Sequence, residues 1–510
     1  MILGEGSRTA STAASLDDLF RRAGVRHPDA LALVDPANRE NFTDGSPRTL
    51  TFAQADCAIS TLAARLRGLG LQTDTIVAMQ LPNTVEGVIA FLGVVRAGMI
   101  AVPMPLMWRQ QEIVAALDHI GAKAIVTTSR IGKAAHAEIA MRAAAELFTI
   151  RHVCGFGRNL PDGIASLDDV FTPGSADASM TYTRPGPAAA HVAAITFGLD
   201  ANGLTPVARS HVELVAGGLE TFLEVDAAPD TPLLSTISIA SLAGIALTIL
   251  PWLLSGGTLH LHHGFDPQAF AAQCDALGDG TVVLPAAAVA AIGDAGLLTN
   301  ANQKIVSLWR APERLAASKA WEGRSALVDV ASFGETGLVA ARRGDNRLPV
   351  AMPRGAVASS RRAPGAPIVI ETTRSAAGTL ALRGRMVPVQ GFPPGAERGH
   401  TPRFSLEDAG YIDTGFGCRV SRDARTLIVT TPPPGVTVVG GYRFHRRDVD
   451  GLVAQVDPDA TIVALPDADL GQRLAGSAAN RADLLTKLKA RGVNALISGA
   501  FQPRGASEAA

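Results

Sequence analysis

The sequence predicts an α/β protein, with a large N-terminal domain of parallel sheets and crossover helices, a β-barrel-like subdomain, and a small α+β C-terminal domain. The first observation is length, because 510 residues exceed the roughly 250–300 that one core usually serves. The second is an alternation of strand and helix patterns over the first 130 residues. The third is the proline run TTPPPG that begins at Thr430. Consecutive prolines stiffen a chain and remove amide donors, so this run predicts a linker between domains.

The alternating patterns justify the parallel sheets. Residues 16–23 and 52–69 repeat apolar side chains at spacings of three and four, which predicts amphipathic helices. Residues 30–34, 75–80 and 124–128 are short apolar runs that predict strands. Strands that alternate with helices form parallel sheets joined by crossover helices.

Three later segments complete the layout. Residues 155–190 are rich in Gly, Pro, Ser and Asp and predict a connecting loop before a core strand at 191–197. Residues 233–254 carry no charge and are long enough to cross a bilayer, but Ser and Thr dilute them and Pro251 interrupts them. We expect a buried helix that runs into a strand, and no membrane span. The Val, Ile, Thr, Gly and Arg of residues 356–385 predict the β-barrel-like subdomain.

Composition excludes several classes of protein. A hydrophobic content of 47% with 18% charged residues is typical of a globular chain. The net charge of −1 gives no electrostatic footprint for nucleic acid. The four cysteines lie far apart, in no spacing typical of a metal site. The N-terminus lacks the basic start and apolar run of a signal peptide, so we expect a cytoplasmic protein.

The segment LPNTVEGVIAFLGVVRAGMIAVPM, residues 81–104, carries the strongest resemblance to a known family. It is similar to the adenylate-forming (AMP-binding) superfamily of acyl- and aryl-CoA synthetases, luciferases and peptide-synthetase adenylation domains. That resemblance implies an N-terminal domain at 1–430, a hinge at 431–439 and a shortened C-terminal lid domain at 440–510. The matching residues are Pro82, Asn83, Glu86, Leu92, Gly93, Arg96, Ala97, Gly98 and Pro103.

The phosphate loop of that family departs most in this chain. Residues 195–211 read ITFGLDANGLTPVARSH, where the family reads roughly ITFTSGTTGKPKGVVLSH. Such loops use glycine, hydroxyl groups and lysine to surround phosphate oxygens. Here Gly203 and one proline remain, no lysine occurs between residues 133 and 304, and Asp200 adds a carboxylate. We therefore expect a plain turn around Gly203, with at most a vestige of nucleotide binding.

A second motif, SFGETGL, resembles the family's YGxTE. The resemblance places Phe333 and Gly334 against adenine and Thr336 at the α-phosphate, whereas the magnesium-binding glutamate is replaced by Gly337. Glu335 comes one residue early, and in an extended segment that shift turns the side chain to the opposite face. Thr336 and Glu335 remain the candidates for catalysis, and Glu335 the candidate for Mg²⁺.

Two further family residues are absent. The aspartate that holds the ribose hydroxyls is replaced by Phe416, which accepts no hydrogen bond, and Asp413 is the nearest alternative carboxylate. The catalytic lysine near the C-terminus has no counterpart beyond Lys489, and Arg504 lies near its place. Arginine rarely reproduces the point charge of lysine.

The hinge and acyl pocket complete the comparison. The family's hinge arginine, lysine and aspartate become prolines and a glycine within residues 432–435. Gly440, Gly441 and Tyr442 match the family's thiol tunnel, which implies a site for CoA. Ser238 and Ile245 match its acyl pocket, together with residues 306–315. These stretches are mostly apolar, so we expect a fatty or aromatic acyl group and no cation placed for a second carboxylate.

Two functions stay open at this level. The changed motifs predict a synthetase-like protein that does not form acyl-adenylates and instead binds an acyl group, acyl-CoA or a protein partner. The alternative is a working ligase or acyltransferase for fatty or aryl acids, with CoA or a carrier protein as acceptor. The alternative requires ATP and Mg²⁺ held by different contacts.

Overall fold

The computed structural model describes residues 14–172, 184–201, 203–359, 362, 368–388, 408–467 and 471–502. The predicted fold class is confirmed. A large part with two mainly parallel sheets and an antiparallel sheet is followed by a small C-terminal part of hairpins and helices. Among the described residues no helix has the length and apolar character needed to cross a membrane.

The first sheet carries the segment that resembles the phosphate loop at one edge. Its strands are parallel except for the last, which pairs antiparallel with its neighbour as a hairpin. In spatial order the strands are Ala165–Ser166, His152–Phe156, Ala124–Thr128, Ile76–Met79, Ile100–Pro103, Val192–Asp200 and Gly203–Ser210.

The second sheet is parallel in its centre and antiparallel at both edges. It brings the SFGETGL segment to the carboxyl ends of the central strands, where ligands bind in open α/β sheets. In spatial order its strands are Gly337–Arg342, Ala326–Phe333, Lys304–Trp309, Thr281–Pro285, Leu233–Ser235, Leu259–Leu261, Leu31–Val34 and Thr49–Thr51.

Helices cover both sheets and begin at local capping signals. Ser15, Thr51 and Ser210 each accept a hydrogen bond from the third helical residue, whose own side chain returns to the cap. These capping boxes satisfy amide groups that a helix start leaves unpaired. The helices are Leu16–Arg26, Phe52–Gly68, Val85–Arg96, Gln110–Ile120, His136–Glu146, His211–Val225, Leu242–Gly244, Leu250–Ser255, Pro267–Leu277 and Ala286–Asp294, with a π-helical turn at Ile245–Ile249 and 3₁₀ turns at Arg39–Asn41, Asp168–Phe171, Ala188–Ala190, Pro312–Ala317 and Asp408–Gly410.

An antiparallel sheet lies where the β-barrel-like subdomain is predicted. Thr414 anchors it through a hydrogen bond from its hydroxyl to the Leu380 carbonyl, 2.7 Å away. In spatial order its strands are Met352–Pro353, Thr426–Thr431, Ile412–Val420, Thr379–Arg383, Ile370–Arg374 and Gly355–Val357.

The C-terminal part begins within the predicted linker. After the strand that ends at Thr431, residues 432–435 form an irregular turn, and a new strand begins at Val436. Two hairpins and three helices then enclose a core of their own around Phe444 and Phe501. In the described residues these are the strands Val436–Val439, Tyr442–His445, Thr461–Asp467 and Gly471–Ser477 and the helices Arg446–Ala454, Arg481–Ala490 and Ala495–Gly499.

Two local predictions need correction. Residues 233–254 start with the strand Leu233–Ser235, and the helix follows only from Leu242, because the strand continues the second sheet. The segment SFGETGL is not extended throughout. A turn at residues 334–336 joins two antiparallel strands, with a hydrogen bond of 3.1 Å from the Thr336 N–H to the Phe333 carbonyl.

Candidate functional site

A cavity of about 1200 Å³ lies between the large part and the C-terminal part. Aromatic and aliphatic side chains form much of its wall, and Trp108 and Phe197 contact each other there with ring centroids 5.2 Å apart. Polar groups face it from both sides, which is typical of a binding site for an amphiphilic small molecule. The polar lining includes Ser238, Ser241, Arg310, Glu313, Glu335, Arg443 and His445.

The phosphate-loop segment forms a paired hairpin at the edge of this cavity. Gly198 pairs with Thr205, Leu199 with Leu204, and Asp200 with the Gly203 that starts the return strand. Successive N–H groups of a paired strand point to opposite edges, so they do not converge on one phosphate group. Leu199 and Leu204 line the cavity from this hairpin. The segment therefore presents apolar side chains where the family presents amide donors.

Glu335 is held inside the large part by several donors. Its carboxylate accepts a hydrogen bond of 2.6 Å from the Thr196 hydroxyl and one of 2.7 Å from the Leu242 N–H. Arg209 lies 3.9 Å from the same carboxylate oxygen, and its guanidinium also donates to the Glu335 carbonyl. The side chains of Arg209 and Glu335 are only 1% and 8% exposed. Since Leu242 starts a helix, the carboxylate also lies at the positive end of that helix.

The place of the family's ribose-binding aspartate is occupied by an aromatic cluster. Phe416 and Phe333 are both buried, and their rings meet edge to face with centroids 5.6 Å apart. The guanidinium of Arg443 lies over the Phe416 ring, 5.4 Å from its centroid. The same guanidinium donates hydrogen bonds to the carbonyls of Arg310 and Ser332, at 3.1 and 3.3 Å. Arg443 thus joins the C-terminal part to the large part.

Arg310 supplies a cation beside the predicted acyl pocket, where the apolar stretches predicted none placed for a second carboxylate. Its guanidinium lies in the cavity wall and donates to the Ser241 hydroxyl at 3.2 Å. Within the described residues, no carboxylate lies within 4 Å of Arg310 or Arg443. Burial lowers the pKa of Arg310, and burial together with the nearby Arg310 lowers the pKa of Arg443 to about 10. An arginine inside the apolar run VSLWRAPERL is a signal that the sequence already contained.

The glycines of the predicted thiol tunnel lie in a tight hairpin turn. Gly440 and Gly441 have φ of 55° and 82°, and Val439 pairs with Tyr442 on either side. A two-residue turn with positive φ at both positions strongly favours glycine, so the fold alone requires this pair. All three residues from Gly440 to Tyr442 line the cavity. A Cβ at Gly441 would lie 3.0 Å from the Cδ atom of Arg310.

The remaining sequence-predicted residues separate into two groups. Ser238, Gly334 and Glu335 line the cavity with the thiol-tunnel residues. Four others lie outside its lining. Phe333 and Ile245 are buried in the core, Gly203 starts the return strand of the hairpin, and Thr336 lies in the turn after Phe333. The carboxylate of Asp413 accepts a hydrogen bond of 2.8 Å from the Gly415 N–H. Arg504 lies outside the described residues.

The hairpin tip and the C-terminal part also touch. The Nε2 atom of His445 lies 3.2 Å from the Ala201 carbonyl oxygen. Arg443 and His445 therefore hold the C-terminal part against the large part around the cavity. Sequence motifs gave no sign of Arg209 as a partner of Glu335, because 126 residues separate them.

Comparisons with known proteins agree with this architecture. The profile of the family described as AMP-binding enzyme matches residues 20–292, more than half of the chain. A 2-hydroxy-7-methoxy-5-methyl-1-naphthoate–CoA ligase of Streptomyces carzinostaticus is 26% identical over 489 residues, which are 90% of this chain and 83% of that protein. A 4-hydroxyphenylalkanoate adenylyltransferase of Mycobacterium marinum is 37% identical over 134 residues, 25% of this chain and 21% of that protein.

Solved structures share the fold at low sequence identity. The amide bond synthetase McbA from Marinactinospora thermotolerans superimposes with a TM-score of 0.69 at 18% identity, covering 95% of this chain and 94% of that one. MbtA of Mycobacterium smegmatis gives a TM-score of 0.61 at 21% identity, covering 96% and 90%. On the family match and the shared fold, this chain belongs to the AMP-binding enzyme family of adenylate-forming acyl- and aryl-CoA ligases.

Proposed function

We propose that this chain binds an acyl or aryl carboxylate, or its CoA thioester, without forming an acyl-adenylate. The observation that carries the proposal is the paired hairpin at 192–210, which replaces converging amide donors with a flat ladder and two leucines. Preorganised donors of this kind typically contribute about 10² to 10³ in rate each. Losing them together with the family's lysine removes most of the electrostatic support for adenylation.

The other residues of the nucleotide site do not fit Mg-ATP either. The ring of Phe416 offers no acceptor for ribose hydroxyls, and Arg443 lies over that ring. The carboxylate of Glu335 is already shared by a hydroxyl, a helix amide and Arg209. Recruiting it to a metal ion would leave Arg209 without its partner in the protein interior, which is costly.

The proposed binding site uses the parts of the family's architecture that this chain keeps. A cavity of about 1200 Å³ with aromatic walls suits an acyl or aryl body. Gly440, Gly441 and Tyr442 line it from the C-terminal side, as a thiol channel would require. The naphthoate–CoA ligase relative supports an aromatic body over a purely aliphatic one. We assign residues 1–430 to the binding domain, 431–439 to a hinge and 440–510 to a lid.

Two measurements test the proposal. Thermal-shift titration compares Mg-ATP with 1-naphthoyl-CoA, since a ligand at 100 times its dissociation constant stabilises a protein by about 2.7 kcal/mol. We expect stabilisation by the thioester and none by Mg-ATP. Exchange of labelled pyrophosphate into ATP, assayed with 1-naphthoate and decanoate, is expected to stay at background. Exchange above that of a heat-inactivated sample would refute the loss of adenylation.

One observation favours the alternative of a working ligase. Arg209, Arg310 and Arg443 bring guanidinium groups close to the segment that the family uses for the α-phosphate. In an active enzyme these groups would have to replace the missing lysines. The exchange assay decides between the two functions, because only the ligase incorporates pyrophosphate.

A further inference from the structure

Two guanidinium groups face the cavity without an acidic partner in the part of the chain that the structure describes. Arg310 has one hydrogen bond to a neutral hydroxyl, that of Ser241 at 3.2 Å, and Arg443 donates to two backbone carbonyls. Among the described residues, neither has a carboxylate within 4 Å. Charges inside proteins are normally paired with a group of opposite charge. The two half-buried guanidinium groups therefore offer positive charge to an anionic ligand in the cavity.

The carboxylates that act on the two arginines from a distance do not pair with them. The carboxylates whose fields act on these arginines are Glu335 and Glu313. Glu335 already faces Arg209 at 3.9 Å. Glu335 is therefore committed to Arg209, and no described carboxylate forms an ion pair with Arg310 or Arg443.

The surroundings of the pair indicate a carboxylate with an apolar body. Ile237, Leu308 and the aromatic pair Trp108–Phe197 line the same cavity as Arg310. A guanidinium fork matches the planar geometry of a carboxylate, and the Ser241 hydroxyl adds a rotatable donor beside it. A free phosphate would gain little from the apolar walls.

We propose that Arg310 and Arg443, with Ser241, hold the carboxylate of an organic acid whose apolar or aromatic body lies along Trp108 and Phe197. This inference rests on the proposed function and names the part of the ligand that the protein recognises. Gly441 packs against the Arg310 side chain, so the closed C-terminal part helps to fix the guanidinium in place.

Isothermal titration of the full chain with matched acids and amides tests the proposal. The probes are 1-naphthoate and decanoate, each with its uncharged primary amide, and 1-naphthyl phosphate. We expect at least one acid to bind about 10- to 100-fold more tightly than its amide, as hydrogen bonds to a charged group predict. Arg310→Gln should weaken the acid by a similar factor and change the amide by less than about 2-fold.

One control variant and two further test variants complete the experiment. Arg447→Gln removes an exposed arginine four residues after Arg443 and should leave every affinity unchanged. Arg310→Lys keeps the charge without the fork, so an intermediate affinity is expected. Arg443→Gln tests the second guanidinium. The melting temperature of each variant shows whether it is folded.

The outcomes separate this inference from the proposed function. Equal binding of acid and amide, or an unchanged affinity in Arg310→Gln, overturns the carboxylate site but leaves an acyl-binding cavity. Tighter binding of 1-naphthyl phosphate than of 1-naphthoate overturns the choice of carboxylate over phosphate. Failure of every probe to bind the unmodified protein overturns the carboxylate site, whereas the proposed function is overturned only if 1-naphthoyl-CoA also fails to stabilise the protein.

Discussion

Replacing Arg209 by methionine tests whether Glu335 stabilises the fold through a buried ion pair. Both side chains are almost fully buried, and Glu335 would keep only its hydrogen bonds from Thr196 and Leu242. Removing one partner of a buried ion pair typically costs about 3–5 kcal/mol. We expect Arg209→Met and Glu335→Gln each to lower the free energy of unfolding by an amount in that range.

The double variant tests directly whether the two side chains act as a pair. Arg209→Met combined with Glu335→Gln leaves no uncompensated charge, so its loss should fall short of the sum of the single losses by about 1–3 kcal/mol. Urea unfolding followed by tryptophan fluorescence measures all three. Arg142→Met is the control, because its pair with Glu138 is 55% and 59% exposed and should contribute less than about 1 kcal/mol. Single losses below about 0.5 kcal/mol, or strict additivity, would refute the role assigned to Glu335.

Three further predictions concern the closed arrangement and the core. Gly441→Ala requires a φ of 82° from alanine and places its Cβ 3.0 Å from Arg310. Limited proteolysis between the two parts should therefore become faster. In the control Gly451→Ala the added Cβ meets nothing within 4 Å, so the rate of proteolysis should not change. Phe416→Ala should lower the free energy of unfolding by about 3–5 kcal/mol, since it leaves a cavity beside a buried ring, and an unchanged urea midpoint would contradict that packing. Burial lowers the pKa of His211 from 6.5 to about 4, so its contribution is complete above pH 6.5 and is lost as the pH falls towards 4, by about 3 kcal/mol. His211→Gln should flatten this part of the stability–pH curve, and a curve parallel to that of the unmodified protein would contradict the assignment.

Local sequence patterns were sufficient to predict many of the helices and strands. The helix predicted at 52–69 is found at Phe52–Gly68, and the strand predicted at 124–128 is found at Ala124–Thr128. Both follow from apolar periodicity and from neighbours in sequence, which act over one or two turns. The strand Leu233–Ser235 was missed because two leucines and a serine before a helix carry no signal of their own. Pairing with distant strands decides their conformation.

The geometry of the candidate site could not be predicted in this way, because it depends on contacts between residues that are distant in sequence. The side-chain direction predicted for Glu335 depended on an extended segment. In the structure a turn follows Phe333, and the Glu335 carboxylate accepts a hydrogen bond from Thr196, 139 positions away in sequence. Arg443 reaches the Arg310 carbonyl across 133 positions. No local pattern encodes such separations, because they arise only when the sheets and the C-terminal part pack together.

The sequence by itself determined the family, the α/β architecture and the changes in the phosphate, magnesium and ribose motifs, since each depends on residue types at fixed spacing. It could say that Phe416 offers no acceptor, but not that Arg443 lies over its ring. Only the tertiary structure decided that the changed segment is a paired hairpin and that two arginines face the cavity with no carboxylate of the described residues within 4 Å. Strand pairing sets the direction of a side chain, and burial sets the electrostatic cost of its charge. Strand pairing and burial are both properties of the packed chain.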